Sequence, residues 1–469
     1  MTQFRRLLQF LKLALSSHEH DFTRGSLSRG VLLLAVPMVL EPMMESLFML
    51  ADAFFVGRLG DTALAVLGLT EGLLVLVFTA GMGLGIPATT MVAQRIGRKD
   101  SEGAARAAAQ AIWISLLLAV PLGLLGIAFS QEALALMGGD AAVQNAGATY
   151  ARVTLGSAPI IVLLFVNAAV LRGAGDAASA LWALWLANGL NILLDPIFIF
   201  GLGFIPPMGV EGAAIATLIG RSCGVLFLLW RLTRASPRLR LRWRHFVVQP
   251  ELLRELSRLA IGGLGQLVVE TSSWVLLTRI VALSGSVAVA GYTVALRVLL
   301  FALLPAWGLS GAAATLVGQN LGAGQVPRAR RAVVVAGSVN AVFLGSVTIL
   351  CLLVPEALVG PFTQNPEALR LGAQGVQVVG LGYIFYAWGM VFNQSLNGAG
   401  NTRTPFMLNL LSFWCLKLPL AYVLSTHVNA TRGTLGVFVA IAFAYSVNAV
   451  LAGAAFRRAT WRMPEASPS

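Results

Sequence analysis

Residues 63–90 read ALAVLGLTEGLLVLVFTAGMGLGIPATT, and Glu71 is the one ionisable side chain in that run. A helix rises about 1.5 Å per residue, so roughly 20 apolar residues cross the hydrocarbon core of a bilayer. The run is long enough to do so. In lipid every backbone polar group must be bonded internally, which leaves helices or a closed barrel. A barrel strand takes roughly ten residues and alternates apolar with polar side chains. This run is longer and does not alternate, so it reads as a helix. The whole chain follows it: of 469 residues 57% are hydrophobic and 11% charged, against roughly a quarter charged in soluble domains.

Working outward, apolar windows lie near 31–57, 105–129, 145–171, 178–203 and 210–232, then near 255–282, 288–317, 332–355, 370–396, 405–427 and 434–456. The expected fold is an all-α polytopic membrane protein with about twelve transmembrane helices, six on either side of a basic stretch. Residues 1–30 form an N-terminal segment, 31–232 a first lobe, 233–254 a basic linker, 255–456 a second lobe and 457–469 a tail. Within residues 1–20, Lys12 interrupts the apolar residues and no small-x-small cleavage site follows. A short helix lying at the membrane surface is expected there in preference to a signal peptide.

The formal charge of +13 raises nucleic acid as a partner, but the basic residues fall between spans and form no face with stacking aromatics, so none is expected. They report orientation. Arg24 and Arg29, Arg95 to Arg106, Arg172, the set from Arg221 and Arg231 to Arg258, Arg328 to Arg331, Arg403, Arg457 and Arg458 alternate with poor segments holding Arg58, Arg370 and Arg432. The positive-inside rule then puts both termini in the cytoplasm. Cys223, Cys351 and Cys415 lie singly in apolar stretches, and the four histidines lie in expected tails or loops. Neither set has metal-ligand or nucleophile spacing, so no enzyme and no cofactor are expected.

The chain repeats itself. At a constant offset of 225, residues 34–107 superimpose on 259–332 without a gap, pairing Glu45 with Glu270, Gly60 with Gly285, Gln94 with Gln319 and Arg106 with Arg331. The same offset lays Leu171-Arg-Gly-Ala-Gly-Asp176 on Leu396-Asn-Gly-Ala-Gly-Asn401. Six spans return the chain to the side it started from, so the repeats are parallel and related by a pseudo-two-fold axis along the membrane normal. Two such bundles leave a central cleft that rocking exposes to either side in turn, the device a transporter needs.

Charges inside spans cost about 2.5–3.5 kcal/mol each on insertion scales and mark function by default. They are Glu41, Glu45, Asp52, Glu71, Asp195 and Glu270, with Arg279, Arg297 and Lys417 opposite in sign. At 100° per residue Glu41, Glu45 and Asp52 share one stripe of the first span, and Asn188, Asn191 and Asp195 one stripe of the fifth. Carboxylates and amide carbonyls suit a hard cation or a proton. Pro196 has no N–H, which frees the Ile192 carbonyl as a further oxygen. The competing reading has Asp52 snorkelling to the interface and the asparagines joining helices by hydrogen bonds. For Glu45 and Glu270, substrate contact and a structural hydrogen bond stay open, and Glu71 reads as structural. The clusters Gly81–Gly85 and Gly398–Gly400 lack a strand and a lysine, so they read as close packing and turns.

These residues are also where the sequence resembles the MATE (multidrug and toxic compound extrusion) family of bacterial efflux transporters. The likeness rests on Leu50-Ala-Asp52, Val56-Gly57-Arg-Leu-Gly60, Val92-Ala-Gln-Arg-Ile-Gly97, Leu171–Asp176, Trp307-Gly-Leu-Ser and Val317–Gly324. It implies export of amphipathic, often cationic compounds by Na+ or H+ antiport from a monomer in the bacterial inner membrane. It further implies a cation site at Asp52, Asn191 and Asp195, joined by Thr217, with Asn188 beside it, and matches Glu270 to a seventh-span glutamate. The cleft set expected is Glu41, Glu45, Gln266, Glu270 and Tyr386. Many relatives carry a tenth-span acid, yet here no Asp or Glu occurs between Arg370 and Asn401, and Tyr386 stands near its place. Asp52, Asn191 and Asp195 have Leu277, Leu416 and Leu420 as repeat mates, so coupling belongs to the first half. The rivals are a flippase for lipid-linked sugars, which needs a cationic cleft, and an integral-membrane enzyme, which needs a catalytic cluster at a span end.

Overall fold

The computed structural model describes residues 3–203, 205–236, 238–426, 430–459 and 461. Among these there is no strand, only an isolated bridge between Leu202 and Ile205. The helices are α1 (Gln3–Ala14), α2 (Leu27–Gly57), α3 (Asp61–Gly97), α4 (Ser101–Ala128), α5 (Ser130–Leu136), α6 (Ala141–Gly156), α7 (Ala158–Ala174), α8 (Ala177–Phe200) and α9 (Val210–Trp230). After the linker follow α10 (Pro250–Ala282), α11 (Ser286–Gly322), α12 (Val326–Leu353), α13 (Pro355–Val359), α14 (Pro366–Gly398), α15 (Arg403–Asn409), α16 (Leu418–Thr426) and α17 (Ala430–Arg458). Twelve spans among them are long and apolar enough to cross a membrane. The fourth is α6 with α7, which meet at Ser157 just before Pro159, and the eleventh is α15 and α16 joined by a π-helical stretch over Leu410–Lys417.

The 225-residue repeat is built into the backbone. Both α3 and α11 have 37 residues and start after a glycine of positive φ, 106° at Gly60 and 97° at Gly285. Gly175 and Gly400 repeat the pattern at 97° and 85°. Packing repeats too: a Cβ on Gly173 would stand 2.7 Å from the Thr89 carbonyl oxygen, and one on Gly398 2.3 Å from that of Ala314. Only glycine lets α7 and α14 approach α3 and α11 this closely.

The chain divides into two compact units. The first holds Met1–Asp21 and Leu40–Ala260; within it α3 packs on α7, α4 and α6, and α8 on α9. The second holds Phe22–Val39 and Ile261–Ser469, with α14 against α11, α12 and α17. Residues 22–39 thus group with the second unit: the Phe22 carbonyl accepts from Asn320 Nδ2 at 3.3 Å, and Gly308 leaves no room for a Cβ beside the Met38 carbonyl.

The linker is held, not loose. Gln110 Nε2 on α4 donates to the Val247 carbonyl at 2.9 Å while its oxygen accepts from Gln249 N at 3.2 Å, and Trp113 Nε1 donates to the Phe246 carbonyl at 2.8 Å. His245, buried against α4, meets Glu102 at 2.9 Å. Gln110→Leu strands the Val247 carbonyl and the Gln249 N–H, at a cost of about 1–3 kcal/mol. Trypsin cleavage after Arg240, Arg242 or Arg244 should then quicken about fivefold or more, which timed digestion measures; an unchanged rate would mean the linker is held elsewhere.

Candidate functional site

The stripe of α2 faces inward in the first unit. Glu41 pairs with Arg172 at 2.8 Å, and Glu45 lies 3.8 Å from Arg221 and accepts from Asn188 Nδ2 at 2.9 Å. Asp52, 3% exposed, lies within electrostatic reach of Asp195, Glu71 and Arg221. On α8, which runs unbroken through Pro196, Asn191 Nδ2 donates to Asp195 Oδ1 at 3.2 Å and to Thr217 Oγ1 of α9 at 2.9 Å. The structure therefore brings Asn191, Asp195 and Thr217 together through hydrogen bonds, with Asp52 within electrostatic reach of Asp195. Asn188 parts from them: its amide serves Glu45, one turn along.

Three acceptors in this group stand out. Asp52 Oδ1, Asp195 Oδ2 and Asn191 Oδ1 are buried and accept no hydrogen bond among the described residues. Buried acceptors are nearly always paired, because an unpaired one forfeits its hydration. Three oxygens, two of them on carboxylates, form a donor set fitted to a proton or a small hard cation.

In the second unit Gln266 is fully engaged. Its Nε2 donates to the Gly262 and Thr402 carbonyls and to Asn397 Oδ1, each at 3.1 Å, and its oxygen accepts from Asn397 Nδ2 at 3.1 Å. Tyr386, 4% exposed, stacks on Tyr445 with ring centres 3.8 Å apart and donates to Glu270 Oε1 at 3.4 Å. Glu270 is also within electrostatic reach of Lys417.

A model of the MatE family matches residues 37–197 and 264–423. The chain belongs to this family. Among relatives of this MatE chain is a probable multidrug resistance protein NorM of Thermotoga maritima, 28% identical over 412 residues covering 87% of each chain. Another is a FAD transporter of Shewanella oneidensis, 27% identical over 428 residues, 89% of this chain and 92% of that protein. A crystal structure of MATE in the bent conformation superimposes with a TM-score of 0.86 at 26% identity, over 93% of this chain and 96% of that one. The outward-facing conformation of a multidrug resistance MATE family transporter gives 0.85 at 26%, over 94% and 97%.

Three basic residues of the MatE chain have a carboxylate partner that their position in the sequence does not reveal: Arg221 faces Glu45, Arg231 faces Asp176 and Arg172 faces Glu41, all within the first unit. Arg221, 5% exposed, also stacks over Phe48 and Phe78 at 5.6 and 5.4 Å. Arg231 meets Asp176 at 2.5 Å. Helical spacing carried a signal for the first, since Thr217 and Arg221 are i, i+4 and share a face of α9. For the other two no local pattern pointed inward.

Proposed function

We propose that this MatE chain exports amphipathic, often cationic compounds across the bacterial inner membrane in exchange for Na+ or H+, with both termini cytoplasmic. The observation that carries the proposal is the set of three buried, unpartnered oxygens on Asp52, Asn191 and Asp195, with Thr217 beside them. Two carboxylates within electrostatic reach repel when both are ionised, and a bound proton or Na+ cancels the repulsion. The cation then favours one conformation over the other, and drug release follows the population it selects.

The internal partners of Glu41, Glu45, Gln266, Glu270 and Tyr386 support a framework role for them more than direct substrate contact. A carboxylate that already faces a guanidinium gains little from an external cation. Names among the relatives cover both drug export and FAD transport, so substrate class needs its own arm in the test. Purified protein in vesicles with imposed pH and Na+ gradients should move a cationic dye only while a gradient stands. Transport indifferent to both gradients, or transport of FAD alone, would overturn the reading.

A further inference from the structure

The second unit contains a buried lysine with no carboxylate in direct contact. Lys417 is 1% exposed, and no ion pair joins it to any described residue, although Glu270 is within electrostatic reach. Its Nζ donates to Ser273 Oγ at 2.9 Å and lies 4.6 Å from the ring centres of both Trp274 and Phe413. Phe413 in turn packs edge-on against Tyr445, which stacks on Tyr386, the phenol that donates to Glu270. Aromatic faces around an ammonium, with a carboxylate behind them, are the chemistry by which proteins bind ammonium ions.

The backbone shows how Lys417 reaches this place. A π turn holds one residue more than an α turn and advances the helix register by one. Lys417 closes the π stretch Leu410–Lys417. It therefore takes the position that an unbroken helix would give to Leu416, the repeat mate of Asn191. Phe413 is the mate of Asn188, and Glu270 that of Glu45. The half-turn that carries amide oxygens in the first half carries an ammonium and an aromatic wall in the second.

We propose that the second half contains an ammonium-binding cage, formed by Trp274, Phe413, Ser273 and Glu270, whose ligand is the chain's own Lys417 side chain. The tethered ammonium balances Glu270 without an exchangeable ion. If the first-half cation site proposed above is right, exchange is thereby confined to Asp52 and Asp195, but the cage itself does not depend on that reading.

Removing the side chain beyond Cβ opens a space the size of n-propylammonium, which reproduces the missing carbons and the charge. The test is the melting temperature of purified wild-type, Lys417→Ala and Lys417→Ala/Glu270→Gln proteins with n-propylammonium chloride, NaCl or n-propanol. Lys417→Ala should melt below wild type and gain about 2–4 °C from propylammonium over equal NaCl. Propanol should do little, wild type should not respond, and the double variant should lose the preference for the charged ligand. Should Lys417→Ala not survive extraction, the amine added during solubilisation should recover it. No gain or recovery with the amine, an equal effect of propanol, or an equal gain in wild type would overturn the proposal. Because the readout is thermal, it stands apart from transport, which the vesicle assay measures separately.

Discussion

Asp52→Asn and Asp195→Asn should each abolish cation-driven export from protein that still reaches the membrane, and neither should lower the melting temperature. Asparagine keeps the shape of the carboxylate and removes a buried charge, so the folded state loses no packing and sheds a desolvation cost. Function is lost because the cation no longer discriminates between conformations. Inverting a 1:99 equilibrium takes roughly 5.5 kcal/mol of preference, and a site with one carboxylate cannot supply what relief of repulsion between two supplies. Dye efflux from cells and melting of the purified variants check the two halves of this expectation. Unchanged efflux in both variants removes the site, and a marked fall in melting temperature makes these residues structural.

Arg231→Ala should give the largest loss of stability, about 3–5 kcal/mol, because it leaves Asp176 buried and ionised without its partner. The Asp176 side chain is fully buried, caps α8 by accepting from Ser179 N at 2.9 Å, and meets Arg231 at 2.5 Å. Arg231 also donates to the Ser17 carbonyl at 3.0 Å, so the segment after α1 should loosen with it. The second half shows the compensated form of the same corner. Asn401, the mate of Asp176, accepts from Thr404 N at 3.1 Å, and the mate of Arg231 is Phe456. A neutral cap needs no cation. Asp176→Asn/Arg231→Ala should accordingly recover much of what Arg231→Ala loses. Denaturation in detergent micelles ranks the three proteins, and a single variant as stable as wild type would show that the pair contributes nothing.

This corner also shows how far the sequence could be read. Leu171–Asp176 and Leu396–Asn401 were legible as one repeated motif, but the change from Asp to Asn meant nothing until Arg231 appeared beside the first. Likewise Asp52, Asn191 and Asp195 were legible as inward-facing groups from helical spacing. The approach of Thr217 to Asn191 was implied only by the family resemblance, and the departure of Asn188 to Glu45 by nothing in the sequence.

The sequence by itself determined the twelve spans, their helical form and the 225-residue duplication. Hydropathy and the 3.6-residue period are properties of a contiguous segment, and lipid leaves such a segment no alternative to the helix. Only the tertiary structure decided which charges are spent on one another. Glu41 and Arg172 are 131 residues apart and Asp176 and Arg231 are 55 apart, so their pairing depends on which helices pack and at what rotation. The same holds for Lys417, whose place in the aromatic cage follows from one extra residue in a π turn, a feature that composition and periodicity do not encode.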